Sequence, residues 1–445
     1  MADSFDLIIR GGECMTPAGR VTADIGVCDG RIAAIGDLGT AGEEVFEAGG
    51  LTVLPGVIDT QVHFREPGME HKEDQESGTR AAALGGVTAV FEMPNTRPST
   101  TDAAALAEKV ARAQGRVWCD IAFFMGASPE NADELATLER VPGCCGVKMF
   151  MGSSTGTLLV ADDENVRRVL AHGNRRMAVH SEDEARLEER KSIARDATSP
   201  HAHAEWRDAE TALRSTKRLM KIARETGRPV HVLHMTTADE IPELAANKDI
   251  ATVEVTPQHL TLAAPEAYDR LGTLAQMNPP IRDETHRAAL WQAVTDGIVD
   301  VIGSDHAPHS LEEKQHGYPQ SPSGMPGVQT LVPILLDHVN AGRLTLERFV
   351  DLTSAGAQRI YNIAGKGRIA VGYDADFTVV DMKAKRTIEN SWIASKCGWT
   401  PFDGMQVTGW PRATIVRGAI VMREDELAEK PSGGIVRFVG SGHAT

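Results

Sequence analysis

Basic residues are in short supply in this chain. Lysine and arginine number 46 against 62 aspartates and glutamates, giving a formal net charge of −16 over 445 residues. Such a balance argues against nucleic acid or an anionic membrane as partner, because both need basic surface. It leaves small anionic substrates open, since one local Arg or His can serve them. Long apolar runs are also missing; none approaches the roughly 20 residues of a membrane-spanning helix. The opening Met1-Ala2-Asp3-Ser4-Phe5-Asp6 lacks the basic and apolar regions of a secretory signal. The six cysteines, with Cys144-Cys145 adjacent, form neither a disulfide framework nor a zinc-finger spacing. These shortages lead to the expectation of a reduced, cytoplasmic protein.

An apolar share of 42% and a charged share of 24% are those of a soluble globular chain. The length exceeds one ordinary domain and suits a large α/β barrel with a smaller unit beside it. The most informative stretch runs Leu54-Pro55-Gly56-Val57-Ile58-Asp59-Thr60-Gln61-Val62-His63-Phe64-Arg65-Glu66-Pro67-Gly68. It begins as an apolar strand, and strand alternation puts Asp59, Gln61 and His63 on one side. Three polar groups buried together must be paired or must bind something. The stretch is therefore either a polar strand end at a domain surface or half of a metal site.

Residues 1–55 read as short strands with turns between them, including a hairpin across Asp29-Gly30. After Pro55, apolar strand-like runs alternate with helical patterns, the signature of βα units. With the opening stretch, the runs at 87–93, 117–124, 146–150, 177–180, 230–234, 252–256 and 299–304 give eight. Helical patterns between them include 101–113, 162–171, 205–226 and 284–295. Residues 56–364 are thus expected to close into a (β/α)8, TIM-like barrel. Residues 365–445 revert to β character. Neither end is large enough to fold alone, so the N- and C-terminal segments should pair into one small β-sandwich. Residues 431–445, rich in Gly and Ser, read as a loosely held tail.

In such a barrel, chemistry sits at the C-terminal ends of the strands. His63, Asn95, Lys148, His180, His234 and Asp305 all fall there. A lone strand-end histidine is more often a satisfied structural group than a ligand. Five ionisable groups at the same end of different strands are harder to dismiss. Lys148 stands among Val147, Met149 and Phe150, where a charged ammonium is costly. It is either a snorkelling or salt-bridged lysine, or a neutral amine able to add carbon dioxide.

The motifs Val62-His63-Phe64-Arg65-Glu66-Pro67-Gly68, Met93-Pro94-Asn95-Thr96, Gly146-Val147-Lys148, Val179-His180-Ser181-Glu182, His231-Val232-Leu233-His234, Asn278-Pro279-Pro280-Ile281-Arg282 and Ser304-Asp305-His306-Ala307-Pro308-His309 resemble those of the dihydroorotases of the amidohydrolase superfamily. The resemblance runs over nearly the whole chain and implies a metal-containing barrel beside a β-sandwich built from both termini. It implies that His63, His180, His234 and Asp305 are zinc ligands and that Lys148 carries a bridging carbamate. Of His231 and His234, strand alternation lets only one face the lumen, and the resemblance favours His234. Asp305 would also act as the proton shuttle. Arg65, Asn95 and His309 would hold a substrate carboxylate, with Asn278 on the ring. Read alone, Arg65 could equally be a surface ion pair with Glu66 or Glu70. The glycine runs at 152–156 and 324–327 read as loops over the site, and His71 and His259 as structural groups or as supports behind the site residues.

One position departs from the family pattern. The first motif usually reads His-x-His, and here Gln61 stands first. A Gln amide is a weaker zinc ligand than imidazole, so one or two zincs per chain are expected, with Gln61 doubtful as a ligand. The resemblance implies reversible cyclisation of N-carbamoyl-L-aspartate to dihydroorotate, in pyrimidine biosynthesis. The alternatives are another cyclic amidohydrolase, such as an allantoinase or hydantoinase, or a non-catalytic scaffold. A homo-oligomer is expected, and a transcarbamoylase partner is compatible with the resemblance.

Overall fold

A computed structural model describes residues 4–39, 42–154 and 158–440. Eight parallel strands hydrogen-bond in chain order: Val57–Val62, Val87–Glu92, Asp120–Gly126, Cys144–Phe150, Met177–His180, Val230–Val232, Ala251–Val255 and Val301–Ile302. Nearly every residue in them is buried. A parallel sheet covered on both faces requires this, and it explains why the strands read as continuous apolar runs. The first and eighth strands meet without a full ladder. Val62 bridges to His306, and the Asp59 carboxylate accepts the backbone N–H of Ser304 at 2.9 Å and of Gln61 at 3.2 Å. A side chain thus completes the barrel where the backbone does not.

The helices start where short acidic side chains can cap them. Asp74, Asp102, Asp162, Asp208 and Asp283 each accept backbone N–H groups in the first turn of the helix that follows. The pattern at 205–226 breaks in two, Ala202–Trp206 and Ala209–Thr226, because Asp208 leaves the helix to cap the second piece. Among the described residues, no helix is long and apolar enough to cross a membrane.

The two ends of the chain share one nine-stranded sheet. Its seam is the pairing of Thr52–Pro55 with Phe377–Thr387, in which Val53 faces Val379. The sheet encloses its own apolar core, with Leu7, Ile25, Phe46, Val53, Phe377 and Ile415 at its centre. Lys366 ties sheet to barrel. Buried, it reaches Asp120 at 2.6 Å, Asp376 at 2.5 Å and Asp374 at 3.4 Å.

Two segments do more than the sequence led us to expect. Residues 431–440 are no loose tail: Ile121 donates to Gly434 at 2.8 Å, Val436 to Ile121 at 3.0 Å, and Val436 and Phe438 are buried. The start of the third barrel strand offers these backbone groups, and Phe91 and Tyr361 offer an apolar floor for Phe438 and its neighbours. Residues 441–445 lie outside the described residues. Further back, the stretch around Ser395 to Phe402 leaves the sheet and crosses to the C-terminal end of the barrel strands. There the Trp399 indole donates to the His309 carbonyl at 2.9 Å, and Ser395 bonds Glu73.

Breaking a buried ion cluster by removing one partner strands the remaining charges. Lys366→Met should therefore lower unfolding free energy by about 3–5 kcal/mol, read from urea denaturation; an unchanged midpoint would show that the cluster is dispensable.

Candidate active site

Gln61, His63, Arg65, Asn95, Lys148, His180, His234, Asn278 and Asp305 line one cavity at the C-terminal mouth of the barrel, about 360 Å³ with the open space at its entrance included. They come from six strand ends and one loop, and the barrel's parallel order brings them together. His309 sits behind this wall, in contact with the Arg65 guanidinium at 3.3 Å. Of the two glycine runs, Ser154 and Gly324 reach the cavity; Thr155 and Gly156 lie outside the described residues. His259 is structural, bonded to Thr256 and to the Pro279 carbonyl, and His71 is exposed beside Glu313.

The ligand-type residues form two pairs. His63 Nε2 lies 3.2 Å from Asp305 Oδ1, and His180 Nδ1 lies 3.1 Å from His234 Nε2. Hydrogen bonds on the far sides of the rings set which nitrogens are free. His63 Nδ1 meets the Asn95 amide oxygen at 2.7 Å, which makes Nδ1 the donor and turns the Nε2 lone pair toward Asp305. His180 Nε2 donates to Glu182 at 2.8 Å, which leaves Nδ1 as a lone pair toward His234. Burial holds the His63 and His180 imidazoles below their usual pKa. His234 is pushed lower still, by burial and then by His180 and Lys148, and its Nδ1 is buried without a partner.

Lys148 is buried, with its Nζ 4.4 Å from the centre of the Phe150 ring. Among the described residues no carboxylate forms an ion pair with it. Burial brings its amine down to about 7. Arg65 is no surface ion pair. It is buried, and Glu66 is occupied by Arg112 and Arg116 instead, at 3.3 and 2.9 Å. Burial lowers the guanidinium to about 10.

The donor set fits a metal with one reservation of geometry. Facing lone pairs on His63 and Asp305, and an orphan nitrogen on His234, are groups that a cation would satisfy. Among the described residues no three of His, Cys, Asp or Glu converge on one point, so each pair needs a further donor. Lys148 lines the same cavity. So does Gln61, whose amide N–H donates to Asp305 Oδ1 at 2.9 Å while its Oε1 is buried with no hydrogen-bond partner among the described residues.

The alternation argument for His231 and His234 needs correcting. His231 also faces inward, one layer down, bonded to Thr252 at 2.8 Å and 3.6 Å from Glu254. The strand ends at Val232, and His234 reaches the cavity through a left-handed φ of 37°. Sequence reasoning also gave no role to three residues that shape the site. Glu182 orients His180, and Arg207, buried, holds Glu182 while donating to the Ser153 carbonyl at 2.6 Å. Burial alone would raise the Glu182 carboxyl, but Arg207 and His180 hold it down at about 2. His203 meets the Asn278 amide oxygen at 2.9 Å. Glu182 was visible inside a quoted motif; Arg207 and His203 carry no local signal.

The fold and this cavity define a barrel hydrolase with a polar, ligand-rich mouth. The amidohydrolase family model matches residues 52–421, and the chain belongs to that family. It is similar to the dihydroorotase of Halobacterium salinarum, 36% identical over 92% of this chain and 98% of that one. It is also similar to the allantoinase of Solibacter usitatus, 35% identical over 99% and 98% of the two chains. Among solved structures, L-hydantoinase from Arthrobacter aurescens superposes with a TM-score of 0.92, at 29% identity and covering 97% of this chain and 99% of that one. The chain is accordingly a hydrolase acting on cyclic amides.

Outer carboxylates that orient a ligating histidine commonly affect metal affinity by about 10- to 100-fold. Glu182→Gln should weaken metal retention by roughly tenfold in chelator competition. Retention equal to that of the unaltered protein would show that the tautomer of His180 is set elsewhere.

Proposed function

We propose that the chain is a dihydroorotase, catalysing the reversible cyclisation of N-carbamoyl-L-aspartate to dihydroorotate. The observation that carries this reading is Arg65, a buried guanidinium in the cavity wall with no carboxylate paired to it among the described residues. An uncompensated buried charge costs several kcal/mol, and a substrate carboxylate offsets that cost. Hydantoin and allantoin rings carry no carboxylate.

His63, His180, His234 and Asp305, with a carbamate on Lys148, would hold zinc. When bound, zinc supplies Lewis acidity and lowers the pKa of water. The chain's own groups do the rest. Arg65, Asn95 and His309 hold the carboxylate, and Asn278, steadied by His203, meets the ring. Asp305, its Oδ1 held by the Gln61 amide, carries a proton from the attacking water to the leaving ring nitrogen. Because the Gln61 amide oxygen is a weaker zinc ligand than imidazole, one tightly held zinc per chain is part of the proposal. The resemblance supports a homo-oligomer acting on a small molecule in the cytoplasm, and leaves room for a transcarbamoylase partner.

Zinc-supplied protein should open dihydroorotate and leave hydantoin and allantoin largely untouched; turnover of either neutral ring with dihydroorotate inert would reject the assignment. In the same assay Arg65→Met should lower kcat/KM for dihydroorotate about a hundredfold, the value of roughly two charge-assisted hydrogen bonds, with zinc content unchanged. Metal analysis should find one zinc per chain, rising toward two in Gln61→His. Two tight zincs in the unaltered chain would show that Gln61 weakens neither site.

A further inference from the structure

His309 carries three contacts whose chemistry together leaves it one tautomer. Its Nδ1 lies 3.1 Å from the Lys72 ammonium, its Nε2 lies 3.0 Å from the Ser323 carbonyl oxygen, and the same Nε2 lies 3.3 Å from an Arg65 guanidinium nitrogen. An ammonium has no lone pair, so Lys72 can only donate, and Nδ1 must be the acceptor. A carbonyl can only accept, so Nε2 must carry the proton. The Arg65 contact then sets one N–H against another. Arg65 is anchored instead by donating from Nε to the Pro308 carbonyl at 3.2 Å, which leaves its outer nitrogens facing His309 with nothing to donate to there.

His309 Nε2–H already donates to the Ser323 carbonyl, so the Arg65 outer N–H 3.3 Å from it is the buried donor that calls for an anionic acceptor. We infer that Lys72 is a positioning residue for substrate specificity: with the Ser323 carbonyl it fixes His309 as the Nε2–H tautomer, and so keeps Arg65 from donating to the ring and available to the substrate carboxylate. This rests on the proposed carboxylate-bearing substrate and adds to it a residue outside the cavity wall.

Glu313 is what makes Lys72 necessary. Its carboxylate lies 3.7 Å from His309 Nδ1 and is held by Lys72 at 2.8 Å. Without the ammonium, that carboxylate faces Nδ1 directly and outcompetes the neutral Ser323 carbonyl for the ring proton. Nε2 then becomes a lone pair, Arg65 donates to it, and that substrate donor is lost. Lys72 touches neither the ligand-type residues nor the cavity wall, so its effect falls on binding and leaves the chemical step alone.

The test is Lys72→Met beside Lys72→Arg, with thermal melts confirming that both fold. Nitrogen-15 spectra of histidine-labelled protein report the tautomer without any substrate. His309 should show a protonated Nε2 in the unaltered chain and in Lys72→Arg, and a protonated Nδ1 in Lys72→Met. KM for dihydroorotate should rise about tenfold in Lys72→Met with kcat unchanged, and Lys72→Arg should restore it. A protonated Nδ1 in the unaltered chain, or an unmoved tautomer and KM in Lys72→Met, would overturn the inference. If the unaltered chain does not turn over dihydroorotate at all, the substrate reading fails, and the spectra still decide the tautomer.

Discussion

The contact on which the site depends is the Asp59 carboxylate lying across the seam of the barrel. Strands one and eight share almost no backbone ladder, yet their ends must stand together, because His63 and Asp305 form one of the two ligand-type pairs. Asp59 holds the Ser304 N–H on one strand and the Gln61 N–H on its own. The residues just beyond both anchors point into the cavity. Burial drives the Asp59 carboxyl up to about 7 while the Ser304 bond opposes it.

The mouth of the barrel also holds strained backbone. Arg65, His234 and Asp305 follow or end their strands with φ of 63°, 37° and 45°. Left-handed conformations of non-glycine residues cost of order 1–3 kcal/mol each and persist only where the surroundings over-determine them. Here the surroundings are eight buried strands and helices capped at their starts. The same rigidity keeps imidazoles neutral, an amine near its neutral point and a guanidinium unpaired, all states that solvent would erase. Stability drawn from barrel and sheet is used to hold unfavourable groups in reach of one another.

Much of this was legible in the sequence, and for a physical reason. A parallel barrel makes every strand a buried apolar run, so a polar residue at its end stands out; His63, Lys148, His180 and Asp305 were found in that way. The two ends of the chain were each too small to fold alone, and they do share one sheet. What could not be read were contacts between distant segments. Nothing local to Lys72 marks it as the partner of His309, and nothing near His203 marks it as the partner of Asn278. Alternation misjudged His231 because the strand stops two residues before His234. The end of the chain misled because Gly and Ser were taken as looseness, whereas small residues let 431–434 lie close against the start of the third strand, where a side chain on Gly433 would meet the Cys119 carbonyl.

That last segment bears on how the molecule is made. The floor under the barrel is laid by residues 433–438, pairing with residues near 121, and the sheet's central seam joins residues 52–55 to 377–380. Both pairings span more than three hundred positions, so loop closure must precede the contacts that reward it. A chain emerging from the ribosome can assemble its βα units in order. It can seal the sheet only once residues 377–380 have emerged, and the barrel floor only once residues 433–438 have. Until then Phe91 and Tyr361 face an open end, and the nascent protein presents an uncovered apolar surface.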